Sequence, residues 1–162
     1  MRIAPHTGVQ IAAVTIAGGL RPSYAGHVAL VCDAVQALLR CHTWAVVGLS
    51  GEPSRPAYGV ASFLQSKGKR IVPVHPSAPL VHGQQGYASL AEIPFPVDVA
   101  EFFVRSERVG PLVDHALAVG VTGVWLQLGV VDDAASERAR AAGALVVMDR
   151  CPHIEWAQHG PR

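Results

Sequence analysis

The strongest constraint in this sequence is an alternation. From Asp33 onward, short apolar runs bounded by Gly or Pro take turns with longer stretches whose apolar residues recur at helical spacing. The runs are Thr43 to Leu49 (TWAVVGL), Arg70 to Val74 (RIVPV), Val97 to Val104 (VDVAEFFV), Val124 to Leu128 (VWLQL) and Leu145 to Met148 (LVVM). Continuous rather than alternating hydrophobicity suits strands buried on both faces, hence parallel strands layered between helices. Helical stripes separate them. Val35, Leu38 and Leu39 follow a cap candidate at Asp33, and Val60, Phe63 and Leu64 follow one at Ser54. Leu112, Val113, Ala116 and Leu117 lie between Gly110 and Val119, and a polar-faced helix runs from Asp132 to Ala142. The economical topology is α/β: a doubly wound, Rossmann-like five-stranded parallel sheet with helices on both faces, in a single domain. Pro73 either counts against the second strand or implies an edge-like position, where a missing N–H is tolerated.

Residues 1–30 stand apart and are expected to form an N-terminal extension of unknown role, with the domain occupying 31–162. Val9 to Leu20 (VQIAAVTIAGGL) is apolar but shorter than the ~20 residues of a membrane-spanning helix.

Composition narrows the function. Thirteen Lys plus Arg against twelve Asp plus Glu leave a formal net charge of +1. A chain so balanced lacks the charge needed to neutralise many phosphates of duplex DNA, so no nucleic-acid partner is expected. A small local basic site remains compatible with it. Cys32, Cys41 and Cys151 form no C-x-x-C pair, which fits neither a disulfide framework nor a zinc site and favours a reducing cytoplasm. No H-E-x-x-H pattern occurs among the eight histidines, so no metal is expected.

In parallel α/β sheets, ligands bind outside the carboxyl ends of the strands, where the strand order reverses. The first such junction reads Gly48-Leu49-Ser50-Gly51-Glu52-Pro53-Ser54-Arg55-Pro56-Ala57-Tyr58. Its glycines permit close backbone approach, the helix start favours an anion, and Arg55 offers a planar fork to phosphate. The same residues also suit a simple turn and cap. Neither a full G-x-G-x-x-G nor a Walker lysine is present, which disfavours ATP hydrolysis by a P-loop. The second junction ends Val74-His75-Pro76, and no acidic residue occurs between Ser54 and Gly86 to bind a ribose diol. Lys67, Lys69, Arg70 and His75 lie in that interval, a basic set suited to a ribose carrying a phosphate, as in NADP or coenzyme A.

The third strand leads to Phe103, Arg105, Ser106 and Glu107, where Arg105 can meet ligand phosphate or pair with Glu107. Gln127 interrupts the apolar fourth strand and needs a partner, either ligand or backbone. The fifth ends Met148-Asp149-Arg150-Cys151, with an ion pair open to Asp149 and Arg150 and Cys151 near the crevice. Cys151 with His153 suggests an activated thiol, against which stands a plain structural role. No catalytic set assembles: there is no G-x-S-x-G elbow and no diagnostic Cys/His/Asp spacing.

Taken in order, several strings carry a resemblance. They are VVGLSGEPSRPAYGVASFL (46–64), VPVHP (72–76), YASLAEIPFPVDV (87–99), FVRSE (103–107), VWLQLGV (124–130) and VVMDRC (146–151). From Ala45 to Glu155 the chain resembles the small stand-alone CoA-binding proteins of bacteria and archaea. Their Rossmann-like domain is related to the CoA-binding domain of the succinyl-CoA synthetase alpha subunit. The resemblance implies coenzyme A or an acyl-CoA lying across the strand ends. Its phosphates would meet Gly48, Ser50, Pro53 and Arg55, with Ala57 and Tyr58 opening the helix. The adenosine end would lie near Val74, His75 and Pro76, with Phe103 and Arg105 along the crevice. The family commonly has Asn at the place of His75, Ser at that of Ala57 and Arg at that of Val104. No reaction is implied, so the expectation is a CoA-binding module without catalysis of its own. The alternatives are an NADP-dependent oxidoreductase and a CoA-site subunit of an acyl-CoA ligase. Partner arrangements open to such a module are a homodimer or a separate acyl-CoA ligase chain, with no membrane contact.

Overall fold

A computed structural model describes residues 24–162, and side chains from residue 31 on. The apolar segment Val9 to Leu20 lies outside the described residues. Five strands form one parallel sheet: β1 (Thr43–Val47), β2 (Arg70–Val74), β3 (Val99–Phe102), β4 (Gly123–Leu126) and β5 (Leu145–Val147). Their spatial order is β2-β1-β3-β4-β5, a doubly wound Rossmann-like arrangement whose direction reverses between β1 and β3. β2 is an edge strand, as Pro73 requires. Strands β1 and β3 to β5 are shorter than their apolar runs, because end residues of each run, at both ends in β3, fall in the loops.

Two helical layers cover the sheet. On one face lie α1 (Tyr24–Arg40), α2 (Pro56–Ser66) and α5 (Pro152–His159), packed around Leu38, Trp44, Val46, Leu64 and Trp125. On the other lie a single 3-10 turn (Leu90–Glu92), α3 (Ser106–Ala118) and α4 (Asp133–Ala141), packed around Ala45, Ala100, Phe102, Val113 and Leu126. Neighbouring strand residues alternate between the two cores, as a pleated sheet buried on both sides demands.

Several local expectations are corrected. Asp33 caps nothing, since α1 begins at Tyr24 and runs through it. The boundary expected at residue 30 therefore falls inside a helix. Ser54 is not the cap of α2 either: Arg55 occupies that place, and the Ser54 hydroxyl donates to Glu52 Oε1 at 3.1 Å. Asp132 does cap α4, accepting from the Ala135 N–H. A further helix, α5, follows Pro152, whose fixed φ suits a first helical position. Among the described residues no helix is long and apolar enough to cross a membrane, and no cluster of metal-ligating side chains occurs.

Candidate functional site

The switch point between β1 and β3 fixes where a ligand can enter. The Phe103 N–H donates to Val47 O and the Gly48 N–H to Val74 O, each at 2.8 Å, so the strand ends stay tied as the chain departs. Gly48 has φ of +99°, and a Cβ there would collide with the Phe103 carbonyl oxygen. Only glycine lets the two loops approach this closely. Above them opens a cavity of about 850 Å³, within the range of ligand sites.

Ten of the expected residues line this cavity together: Gly48, Ser50, Arg55, Ala57, Val74, His75, Pro76, Phe103, Arg105 and Gln127. Pro53, Tyr58 and Cys151 do not. The Tyr58 ring packs on His82 at 4.1 Å between centroids, with His82 Nε2 also 2.9 Å from the Tyr58 carbonyl. Cys151 is the half-buried residue preceding α5 and packs against the core on the α1–α2–α5 face.

The basic rim differs from the one expected. Lys67 and Lys69 precede β2 and Arg70 is its first residue, so all three stand at the amino end of the sheet, opposite the cavity. Only His75, after the strand, reaches the right end, where its Nδ1 lies 2.8 Å from Ser77 Oγ. The cations that do surround the cavity are Arg55, Arg105 and Arg108. All three are exposed, and none makes a salt bridge or side-chain hydrogen bond among the described residues. Arg105 therefore does not pair with Glu107. Arg108 escaped the sequence reading, although its i+3 spacing from Arg105 across the start of α3 was the available signal. Val104, Leu112, Leu128 and Val130 complete an apolar wall on the β3–β4 side.

Side chains from three strand ends hold the loop after β4. The Gln127 side-chain oxygen accepts from the Leu128 N–H at 2.7 Å, and Asp149 Oδ1 accepts from the Gly129 N–H at 2.7 Å. The Ser106 hydroxyl accepts from the Val131 N–H at 3.0 Å and donates to Gly129 O at 3.4 Å. The strings W-L-Q-L-G, M-D-R and R-S-E thus meet physically. Asp149 serves this loop rather than Arg150, and Arg150 pairs instead with Glu155 at 2.9 Å. Gln127 finds its second partner in Glu101, buried on β3, which the sequence reading passed over within an apolar run.

Fold and cavity together define a Rossmann-like α/β domain with an arginine-rimmed site at its switch point. The chain belongs to the CoA binding domain family, whose model matches residues 42–157. It is 34% identical over 120 residues to the uncharacterized protein YneT of Bacillus subtilis (strain 168), covering 74% of this chain and 89% of that one. A hypothetical protein from Pyrococcus horikoshii OT3 is 30% identical with a TM-score of 0.76, the match covering 88% of this chain and 99% of that one. The fold also matches, at TM-score 0.61 and 24% identity, the dinucleotide forming acetyl-coenzyme A synthetase 1 of Ca. Korarchaeum cryptofilum in complex with phosphate and ADP. That match covers 71% of this chain and 27% of the synthetase.

Proposed function

We propose that this chain binds coenzyme A, free or acylated, in the cavity at the carboxyl ends of β1 and β3, and catalyses no reaction of its own. The observation carrying the proposal is the set of three cavity arginines without partners among the described residues. Unpaired guanidinium groups converging on one cavity suit the phosphates of a polyanionic ligand, which they bind through charge-assisted, bidentate hydrogen bonds. Membership of the CoA binding domain family supports coenzyme A as the ligand within that chemical class. Gly48 and Ser50 offer backbone and hydroxyl donors beside Arg55. Val74, His75 and Pro76 flank the adenosine, and the wall of Val104, Leu112, Leu128 and Val130 suits a pantetheine arm or an acyl group.

Isothermal titration with CoA, dephospho-CoA, NAD and NADP tests this reading. CoA binds, dephospho-CoA binds more weakly for lack of the ribose phosphate, and NAD does not bind. Binding of NADP without CoA overturns the proposal.

A further inference from the structure

A carboxylate in the middle of a parallel sheet is costly, because burial strips its water and offers nothing equivalent in return. Glu101 occupies such a place. It is 0% exposed on β3, in register with Val46 on β1 and Trp125 on β4. Its Oε1 accepts from Gln127 Nε2 at 3.1 Å, while Oε2 is buried with no hydrogen-bond partner among the described residues. Burial drives its pKa up to about 8, so the group is a neutral acid at pH 7.

The second half of the arrangement lies at the cavity. An amide side chain has a donor end and an acceptor end, and a flip exchanges them. Gln127 must turn its oxygen toward the Leu128 N–H, at 2.7 Å, for that bond to form. The reversed amide would face N–H against N–H. Glu101 Oε1, by accepting from the NH2 end, holds the amide in the orientation that the Leu128 N–H requires. Gln127 and Leu128 both line the cavity. The chain of contacts therefore runs from an interior acid, through one amide, to the backbone of the cavity wall.

We propose that Glu101 is a positioning residue for the ligand cavity, setting the orientation of the Gln127 amide and, through it, the Leu128 backbone. Ligand does not touch Glu101. Only the second readout below rests on CoA being the occupant.

Amide hydrogen exchange, followed by NMR in the ligand-free protein, tests the proposal first. Glu101→Leu removes the acceptor and speeds exchange at Leu128 by about tenfold, the effect of one lost hydrogen bond. Glu101→Gln keeps an oxygen at the same place and retains the protection of the original chain. Should Glu101→Leu not fold, Glu101→Val supplies the same contrast, fast at Leu128 where Glu101→Gln is slow. Equal exchange in all variants, or Glu101→Gln as fast as Glu101→Leu or Glu101→Val, overturns the proposal. In the second readout, CoA affinity falls about tenfold in Glu101→Leu and stays within about threefold in Glu101→Gln. Unchanged affinity in Glu101→Leu would also overturn it. A chain that binds no CoA at all defeats the functional proposal, while the exchange experiment still decides the role of Glu101.

Discussion

The two ends of the sheet use the same kinds of residue for different purposes. At the amino end the cations rest on aromatic rings. Lys67 Nζ lies 5.3 Å from the centroid of Phe63 and 5.8 Å from Trp156, Lys69 Nζ lies 5.5 Å from Trp156, and the Arg70 guanidinium sits 3.5 Å above Phe95. The carboxylate there is also employed, since Asp98 Oδ2 accepts from the N–H groups of His42 and Thr43 at 3.1 and 2.8 Å. At the carboxyl end Arg55, Arg105 and Arg108 have no such partners among the described residues, nor does Glu101 Oε2 in the interior. A cavity exists at each end, about 540 Å³ among Pro94, Phe95 and Pro96 and about 850 Å³ among the arginines. Space alone does not distinguish them. The lesson lies in which polar groups the fold has left available.

The largest effect expected from this contrast concerns the buried acid. Glu101 titrates near 8 in the folded chain against an ordinary value of 4.5, so the folded state retains a proton that the unfolded state has released. Its contribution is fully favourable below pH 4.5 and is lost as pH rises to about 8, at no more than about 1.4 kcal/mol per pH unit. Across that window the loss sums to roughly 3–5 kcal/mol. Urea unfolding at successive pH values should show this decline in the original chain and a flatter profile in Glu101→Gln. Identical profiles would remove the buried acid from the account.

A pair of glycines gives the next contrast. Gly48 at the carboxyl end and Gly120 at the amino end both have positive φ, +99° and +89°. A Cβ at Gly48 meets the Phe103 carbonyl, whereas at Gly120 it meets nothing within 4 Å. Gly48→Ala is expected to cost about 2–4 kcal/mol from strain and steric conflict together, and Gly120→Ala about 1 kcal/mol from backbone strain alone. Thermal unfolding measures both. Equal costs would mean that the close approach of the two loops is unimportant.

The smallest effect discriminates best between the ends. Arg55→Ala and Arg105→Ala should each weaken CoA about tenfold, or about 1.4 kcal/mol. Lys67→Ala and Lys69→Ala should leave CoA affinity within about twofold and lower stability by under about 1 kcal/mol each. Calorimetric titration of the four variants reads this directly. Loss of CoA binding in the lysine variants would reverse the assignment of the two ends.

Much of this contrast was legible in the sequence, and the failures have physical causes. The apolar runs located all five strands because burial on both faces leaves little choice of residue, and Pro73 marked the edge. Strand-end positions then identified most of the cavity lining without any tertiary information. Lys67, Lys69 and Arg70 were misplaced because proximity in sequence to a strand does not say which end of it a side chain occupies. They precede or open β2, and a parallel strand carries its ligand-facing loop after it. Asp33 satisfied a capping rule that the longer helix from Tyr24 made irrelevant. Arg150 met its partner one helical turn beyond, in α5, rather than the adjacent Asp149. Glu101 was hidden by its neighbours, for in VDVAEFFV it shares an apolar run with Asp98, and nothing in the run says which of the two carboxylates is buried. Its significance needed Gln127, 26 residues away, to be seen beside it.

The central claim is that ligand binds at the arginine end of the sheet. Two-dimensional 1H–15N spectra recorded while CoA is added test it most directly. Binding at this end gives saturable shifts at Gly48, Ser50, Arg55, Phe103, Arg105 and Leu128, with Lys67, Lys69, Phe95 and Gly120 unmoved. Shifts confined to Phe95, Gly120 and the lysines, with Gly48 and Arg105 silent, would contradict it.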